Sequence, residues 1–400
     1  MAPDSFDGTL TAVEAAEAIR AGWTQVAPED ELVLLPMSDG GPGFVDVLST
    51  ELAGQTVPVQ ITDPLGRPAV GAVLIAGDTA YIESAQACGL QLLTAAEKNP
   101  LVTSTFGLGA LLAAAVECGA RTLVVGLGGS ATNDAGMGML TALGITPLDA
   151  AGTALPPGGL ALADLATLDG AAQLRGAAIV AATDVDSPLC GPHGASAVYG
   201  PKKGLRPEDL DRLDAALARW AEVAERDIPG APTSLADLPG AGAAGGLGAA
   251  LLALGGTRRS GGEMIFEAVN LPAALAEADV VLTGEGSFDF QSVRGKVAGG
   301  VAKCAVAQGV PCLVLAGQVS LGRQQAAAAG VEAAYSVTER AGSVEAAMAR
   351  PGHWLTELAA RVAGGVEPPV SRPTHPPGRY AVPERTYDGE DRRAGDCWPR

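Results

Sequence analysis

A glycine turn followed by small polar residues lies in the stretch from Leu123 to Asp134. The apolar residues 123–125 predict a buried strand, and Gly128-Gly129 predicts a turn that opens a helix. Backbone N–H groups at such a helix start favour an anion, usually a phosphate. The turn contains no lysine and is therefore not a Walker A loop. An ordinary structural turn is the alternative. We predict that a phosphate and Mg²⁺ are held by the polar residues Ser130, Thr132, Asn133 and Asp134.

Further segments of the chain have the same character. Each places carboxylates beside glycines or at the end of an apolar run, where the strands of an α/β sheet carry functional loops. We expect these loops to form a single cleft. The segments are Pro3-Asp4-Ser5-Phe6, Pro36-Met37-Ser38-Asp39-Gly40-Gly41, Thr183-Asp184-Val185-Asp186-Ser187-Pro188-Leu189-Cys190-Gly191 and Thr283-Gly284-Glu285-Gly286-Ser287-Phe288-Asp289.

Length and charge limit the classes of function. The chain has 400 residues, which favours a two-domain enzyme. A net charge of −19 argues against nucleic acid or an anionic membrane as a partner. It does not exclude a phosphorylated ligand, because lysines near the glycine-rich motifs can make one site locally positive. These lysines are Lys202, Lys203 and Lys296.

Cysteine usage and the N-terminal residues favour the cytoplasm. The six cysteines form no C-x-x-C pair, which indicates reduced thiols. Acidic residues at Asp4, Asp7 and Glu14 interrupt the place where a signal peptide would need an apolar stretch. The uncharged run 238–257 contains seven glycines and a proline and would make a poor membrane span.

The order of apolar runs predicts an α/β fold. The run 31–36 is typical of a buried strand, and strand and helix patterns alternate again near the C-terminus. In between, short strands over 55–83 are joined by turns, which is typical of antiparallel sheet. We therefore predict two α/β domains with a cleft between them. One is a discontinuous Rossmann-like parallel-sheet domain of residues 1–55 and 275–366, the other is an inserted mixed-sheet domain of residues 56–274, and a disordered tail follows at 367–400.

Together, these motifs resemble those of the bacterial class I glycerate kinases from residue 2 to about residue 365. The resemblance implies ATP-dependent phosphorylation of D-glycerate, usually at the 2-hydroxyl, on two α/β domains with the active cleft between them. It rests on the segments given above and on Gly128-Gly129-Ser130-Ala131-Thr132-Asn133-Asp134, Gly200-Pro201-Lys202-Lys203-Gly204, Gly242-Ala243-Ala244-Gly245-Gly246-Leu247-Gly248 and Thr283-Gly284-Glu285-Gly286 with Asp289, Gln291, Gly295 and Lys296.

The chain departs from the family pattern at two places. Family members carry a short strand before the segment Ala2-Pro3-Asp4, where this chain has only Met1, and this favours a start site placed too late. They also carry lysine where this chain has Asp7. Because a lysine there would sit beside the phosphates, we expect Asp7 to weaken anion binding.

Phosphoryl transfer needs Mg²⁺, donors on the moving group and a carboxylate that orients or deprotonates the attacking hydroxyl. Asp184 and Asp186 follow an apolar strand, and we predict that they act as base and metal ligand, in that order. Turn-stabilising aspartates are the alternative. The expected catalytic residues are Asp184, Asp186 and Lys202, and the expected metal ligands are Asp134 and Asp186. The expected nucleotide contacts are Gly128, Gly129, Ser130, Asn133, Gly245, Gly246 and Lys296, and the expected substrate contacts are Ser5, Asp39, Gly40, Gly41, Lys203, Glu285 and Asp289. Asp39 is open between the glycerate hydroxyls and the metal, and an N-cap is its structural alternative.

Two other functions compete with an active kinase. A catalytically impaired homologue would keep the cleft as a ligand-binding or regulatory protein. A hydroxy-acid dehydrogenase would use the fingerprint G-x-G-x-x-G at residues 240–245, but neither a preceding strand nor a following acidic residue supports it. The partners expected of the kinase are D-glycerate and ATP, and a homodimer is left open.

Overall fold

A computed structural model describes residues 1–6, 8–294 and 296–365. Asp7, where family members carry lysine, and the predicted tail of residues 367–400 lie outside the described residues.

The strands and α-helices are numbered in chain order. The strands are β1 (Ala2–Pro3), β2 (Gln55–Thr62), β3 (Pro68–Ala76), β4 (Thr79–Glu83), β5 (Thr122–Gly126), β6 (Ile145–Leu148), β7 (Thr167–Gly170), β8 (Ala178–Ala182), β9 (Thr257–Arg259), β10 (Val281–Gly284), β11 (Ser287–Phe288), β12 (Cys312–Ala316), β13 (Gln318–Val319) and β14 (Ala333–Ser336). The helices are α1 (Ala12–Val26), α2 (Phe44–Glu51), α3 (Ala85–Cys88), α4 (Phe106–Glu117), α5 (Met137–Ala142), α6 (Ala195–Tyr199), α7 (Leu210–Asp227), α8 (Ala243–Ala253), α9 (Gly261–Ala268), α10 (Leu271–Ala276), α11 (Val297–Gln308), α12 (Arg323–Ala328), α13 (Val337–Ala341), α14 (Val344–Ala349) and α15 (Pro351–Ala363).

Backbone contacts divide the chain into two units. The first unit combines Met1–Pro36 with the described residues from Val269 on, and the second is Met37–Ala268. The residues after Pro36 therefore belong to the second unit, whereas the sequence placed those up to residue 55 in the first domain. The segment after Pro36 is held by a hydrogen bond to the second unit. The Gly43 N–H donates to Glu83 Oε2, at the end of β4, at 3.0 Å.

The first unit contains the predicted parallel sheet. Its strand order is β1-β10-β12-β14, and all three pairings are parallel. The helix α1 begins at a capping box in which Thr11 and Glu14 satisfy each other's backbone N–H groups. One apolar face of α1 packs with α15 over the sheet, around Ile19, Trp23 and Leu355. The carboxyl ends of β1 and β10 lie side by side, with Pro3 opposite Gly284.

The predicted buried strand over residues 31–36 is wrong. The structure gives these residues no regular secondary structure, and none of them is buried. Two backbone bonds tie the segment to Met1, from the N-terminal ammonium to the Val33 carbonyl at 2.7 Å and from the Leu35 N–H to the Met1 carbonyl at 2.8 Å. These two bonds are too few to form a ladder beside β1.

The second unit contains a separate mixed sheet, as predicted. Its order is β2-β3-β4-β5-β8-β9, with β2, β3 and β4 antiparallel and the pairings from β4 to β9 parallel. The core is built from Ala, Val and Leu around the fully buried Trp220. Because β4, β5, β8 and β9 are parallel, the loops that follow them leave from one edge of this sheet. Within the described part of the chain, no helix has the length and apolarity needed to cross a membrane.

Candidate active site

The glycine turn follows β5, but it does not open a helix directly. The strand ends at Gly126 and α5 begins at Met137, so a loop of residues 127–136 separates them. The expectation of a helix start at the turn is therefore wrong. The loop turns at Gly129, which has φ +65°, and runs beside residues 88–90. The Leu90 N–H donates to the Gly129 carbonyl at 2.8 Å, and the Ala131 N–H donates to the Cys88 carbonyl at 2.6 Å.

Three glycines let the segment Asp39-Gly40-Gly41 lie directly on the ends of the strands. A Cβ on Gly128 would lie 2.5 Å from Gly41 Cα, and a Cβ on Gly126 would lie 2.5 Å from the Gly40 carbonyl oxygen. Gly40 itself has φ +97°, a conformation that favours glycine. The structure therefore brings Asp39, Gly40 and Gly41 together with Gly128, as an active-site interpretation requires.

Asp184 follows β8 and is held by the residues after β9. Ser260 Oγ donates to Asp184 Oδ1, and the Gly262 N–H donates to Oδ2 at 3.1 Å. Burial raises the pKa of Asp184 to about 7, and the negative charges of Asp39 and Glu263 act in the same direction. A carboxyl group with a pKa near neutrality can both accept and release a proton at physiological pH. Asp186 is exposed and lies two residues further on.

Ser260 and Gly262 are site residues that the sequence analysis missed. They follow β9, a three-residue strand whose residues are all exposed. The sequence therefore contains no apolar run that would predict a strand ending just before Ser260. The remaining signal is the sequence Ser260-Gly261-Gly262, which has the polar and glycine-rich character of the other loops.

The two neighbouring lysines lie in different environments. Lys202 is exposed, whereas Lys203 is 4% exposed. Lys203 Nζ donates to Ser130 Oγ at 2.9 Å and to the Thr132 carbonyl at 2.7 Å. Burial lowers the pKa of Lys203 to about 7. The sequence grouped Lys203 with the substrate contacts, whereas in the structure its Nζ is hydrogen-bonded to the glycine loop itself.

Asp134 is buried and caps two helices. Its Oδ2 accepts from the Thr105 N–H and hydroxyl, both at 2.9 Å, and from the Gly138 N–H at 3.1 Å. Its Oδ1 accepts from the Gly136 N–H at 3.2 Å. Burial raises the pKa of Asp134, and the four donors counteract that shift. Its oxygens therefore cap the starts of α4 and α5, and the magnesium role expected from the sequence stays a prediction.

Two polar atoms beside Asp134 are buried without a partner. Asn133 Nδ2 donates to Ser196 Oγ at 2.9 Å, but Asn133 Oδ1 and Thr132 Oγ1 have no hydrogen-bond partner within the described residues. Buried polar atoms of this kind mark places that a water or a ligand can complete. Over the same described ranges, no group of three or more His, Cys, Asp or Glu side chains is arranged to hold a metal ion.

Gly245 and Gly246 pack closely against the backbone of the glycine loop. Ala244, Gly245 and Gly246 all have positive φ, so regular helix geometry in α8 starts after them. A Cβ on Gly245 would lie 2.0 Å from the Thr132 carbonyl oxygen, and the Ala135 N–H donates to the Gly245 carbonyl at 3.1 Å. The segment that matched the dinucleotide fingerprint follows a 3₁₀ turn at Leu235–Asp237 and not a strand. This placement removes the structural basis of the dehydrogenase alternative.

The remaining expected residues lie in the first unit. Glu285 follows β10 and is 5% exposed, and Lys296 Nζ lies 3.7 Å from Glu285 Oε2. Ser5 follows β1, and its N–H donates to Asp4 Oδ1 at 2.7 Å. Asp289 Oδ1 accepts from the Gln291 N–H at 2.7 Å in the turn that leads to α11. Within this unit, acidic and polar groups therefore follow the adjacent strands β1 and β10.

Comparison with known proteins identifies the family. The model of the glycerate kinase family matches residues 1–367. The chain belongs to the glycerate kinase family. It is 40% identical to the glycerate kinase of Bacillus subtilis (strain 168) over 373 residues, which cover 92% of this chain and 97% of that protein. It is 39% identical to the glycerate 2-kinase of Escherichia coli (strain K12) over 353 residues, which cover 87% of this chain and 92% of that protein.

A solved structure agrees with this membership of the glycerate kinase family. A crystal structure from Salmonella typhimurium LT2, provisionally assigned as glycerate kinase 2, superimposes with a TM-score of 0.70 at 38% sequence identity. The match covers 91% of this chain and 96% of that chain. The predicted family, the α/β fold and the kinase class of enzyme are confirmed. The phosphate donor, the metal ion and the position of phosphorylation stay predictions.

Proposed function

We propose that this member of the glycerate kinase family transfers the γ-phosphate of ATP to the 2-hydroxyl of D-glycerate. The name of the Escherichia coli relative, a glycerate 2-kinase, supports that position. The observation that carries the proposal is the environment of Asp184. Its carboxylate has a pKa of about 7, interacts with the charge of Asp39 and lies at the sheet edge that also carries the glycine loop after β5.

The phosphates of ATP are assigned to the loop after β5. Backbone N–H groups of a glycine-rich loop form a concave site that binds anions without a side chain. The close packing of Gly128 on Gly41 supports this assignment. It leaves no room for a side chain at Gly128, so the backbone of the loop stays bare at this point. We assign the N–H groups of Gly128, Gly129 and Ser130 to the phosphates. The unpartnered Asn133 Oδ1 and Thr132 Oγ1 lie in the same loop and fit a site that a hydrated ligand completes.

Asp184 is assigned as the general base. The 2-hydroxyl oxygen attacks the γ-phosphorus, its proton moves to an Asp184 oxygen, and the bond between the γ-phosphorus and the bridging oxygen of ADP breaks. The contacts from Ser260 and Gly262 fix the plane of the carboxyl group. A pKa of about 7 leaves Asp184 largely ionised just above neutral pH and basic enough to take the proton.

Asp39 and Asp186 are the residues that would hold Mg²⁺. This ion is usually bound in proteins through one or two carboxylates together with substrate phosphates and water. Two carboxylates therefore suffice, and a larger acidic cluster is not required. Asp39 Oδ1 accepts from the Gly41 N–H at 3.0 Å, which fixes that carboxylate beside Gly128. When bound, Mg²⁺ neutralises phosphate charge.

The other expected contacts are retained as parts of the proposal. Lys202 is exposed and free to approach an anionic ligand. In the first unit, the candidates for ligand contact are Ser5, Glu285, Asp289 and Lys296. A cytoplasmic location is supported by the five described cysteines, all of which are free thiols. A homodimer remains a prediction from the sequence.

The proposal is tested by the rate at which the full-length protein forms ADP. We expect formation of ADP that requires both D-glycerate and Mg²⁺, and we expect L-glycerate to be a poor substrate. Tight ATP binding without ADP formation would support the catalytically impaired homologue instead. Oxidation of NADH with hydroxypyruvate would support the dehydrogenase.

A further inference from the structure

A buried ammonium group lies behind the proposed phosphate loop. Lys203 belongs to a 3₁₀ turn at Pro201–Lys203, and its Nζ donates to Ser130 Oγ and to the Thr132 carbonyl. We call residues 130–132 the Ser130 segment. Both acceptors are neutral, and within the described residues no carboxylate lies within 4.0 Å of Lys203 Nζ to form an ion pair. A buried cation without an anionic partner is costly, so its charge needs another source of stabilisation.

Two titratable groups act on Lys203 through the protein. Negative charge on Asp134 or on Cys88 favours the charged form of the lysine, but the burial of Nζ outweighs this effect. Asp134 is engaged by the four donors at the starts of α4 and α5. Burial raises the pKa of the Cys88 thiol, which therefore stays neutral. Near neutral pH, Lys203 is consequently close to the point at which it loses its proton.

We propose that Lys203 is a positioning residue for the Ser130 segment and that phosphate binding on the ligand side of this segment draws a proton onto it. The inference rests on the proposed function, which assigns the ATP phosphates to this loop. An anion nearby stabilises the ammonium form, and the ammonium form in turn stabilises the anion. The two hydrogen bonds from Nζ hold the Ser130 hydroxyl and the Thr132 carbonyl in place whenever the site is filled.

The coupling predicts a specific pH dependence. Above pH 7 the free protein holds Lys203 largely neutral, and ATP binding must then be accompanied by uptake of a proton. The affinity for ATP should therefore fall by up to about tenfold for each pH unit above 7, until the pKa of the ATP-bound form is reached. A lysine that serves only as packing would not produce this fall.

The test is calorimetric titration of the full chain with ATP and Mg²⁺ at pH 8, in two buffers that differ in ionisation enthalpy. We expect the wild-type protein to take up close to one proton for each ATP bound, since Lys203 is largely neutral at that pH. Lys203→Met should abolish this uptake and weaken ATP binding about tenfold or more at pH 7. Lys303→Met is the matched control, because it removes a lysine charge from a half-buried side chain on α11, in the other unit. It should behave as the wild type does.

Wild-type proton uptake and ATP affinity in a folded Lys203→Met variant would overturn the inference while leaving the proposed function intact. Failure of the wild-type protein to bind ATP would overturn both. If Lys203→Met does not fold, selective ¹³Cε labelling of lysine in the wild-type protein gives the answer by NMR. One of the five lysine signals should then move to the protonated position when ATP is added at pH 8. Lysine signals that stay unchanged would overturn the inference.

Discussion

Replacing Asp184 with asparagine should lower the activity and raise the stability of the protein at the same time. The substitution removes the proposed proton acceptor but keeps the shape of the side chain. The asparagine oxygen can accept from the Gly262 N–H, and its NH₂ group can donate to Ser260 Oγ, because a hydroxyl both donates and accepts. The variant should therefore fold, and the turnover number should fall about 100-fold or more, as for other general bases.

The gain in stability follows from the shifted pKa. Asp184 has a pKa of about 7 in the folded protein, compared with about 3.9 in an unfolded chain. Between these values the folded state binds more protons than the unfolded state, so stability falls as the pH rises from about 4 to about 7. Above pH 7 the cost is fully present. Three pKa units correspond to about 4 kcal/mol, and residual solvent contact of this half-buried group lowers the gain to about 2 to 4 kcal/mol.

The assay combines turnover measurements with urea unfolding at pH 8 and pH 5. The stability gap between Asp184→Asn and the wild type should be largest at pH 8 and should narrow at pH 5. Asp169→Asn is the control, because Asp169 is exposed on β7 and loses the same charge. A normal turnover number would remove Asp184 from the mechanism. A variant less stable than the wild type at pH 8 would refute the buried-charge argument.

Three further predictions concern the same unit. The value of kcat/KM should rise with pH through about 7 as Asp184 ionises, and a flat profile from pH 6 to 8 would count against a base with this pKa. Gly129→Ala should weaken ATP binding more than Gly77→Ala, as measured by nucleotide titration, because both residues have φ near +60° but only the first new Cβ meets Pro42, at 2.9 Å. Asp134→Ala should cost on the order of 3 kcal/mol in thermal or urea unfolding, because four donors, three of them in buried hydrogen bonds, lose their acceptor; an unchanged melting temperature would exclude the capping role.

The sequence predicted those features that depend on local pattern. Apolar runs followed by polar residues predict strands that end in loops. This pattern marks β5 and the polar residues after it, and β8 and the aspartate after it, and the parallel and mixed sheets follow from the same signals. The approach of Gly41 to Gly128 could not be read from the sequence, because the two residues belong to distant segments. Glycine identity alone does not tell which backbone lies opposite.

Burial separated residues that look equivalent in the sequence. Lys202 and Lys203 are adjacent and chemically identical, yet one is exposed and the other lies under the Ser130 segment. Asp134 has the residue type of a metal ligand, but α4 and α5 both begin at its carboxylate. These roles depend on which elements converge at a point, and that is a property of the tertiary structure.

Proton-coupled ³¹P NMR of the reaction product tests the central claim most directly. After incubation of the full-length protein with ATP, Mg²⁺ and D-glycerate, we predict a new phosphomonoester signal that is split into a doublet. A phosphate on the 2-oxygen couples to the single proton on carbon 2, whereas a phosphate on the 3-oxygen couples to two protons and gives a triplet. A triplet would contradict phosphorylation at the 2-hydroxyl, and the absence of any new phosphomonoester would contradict the proposed kinase activity itself.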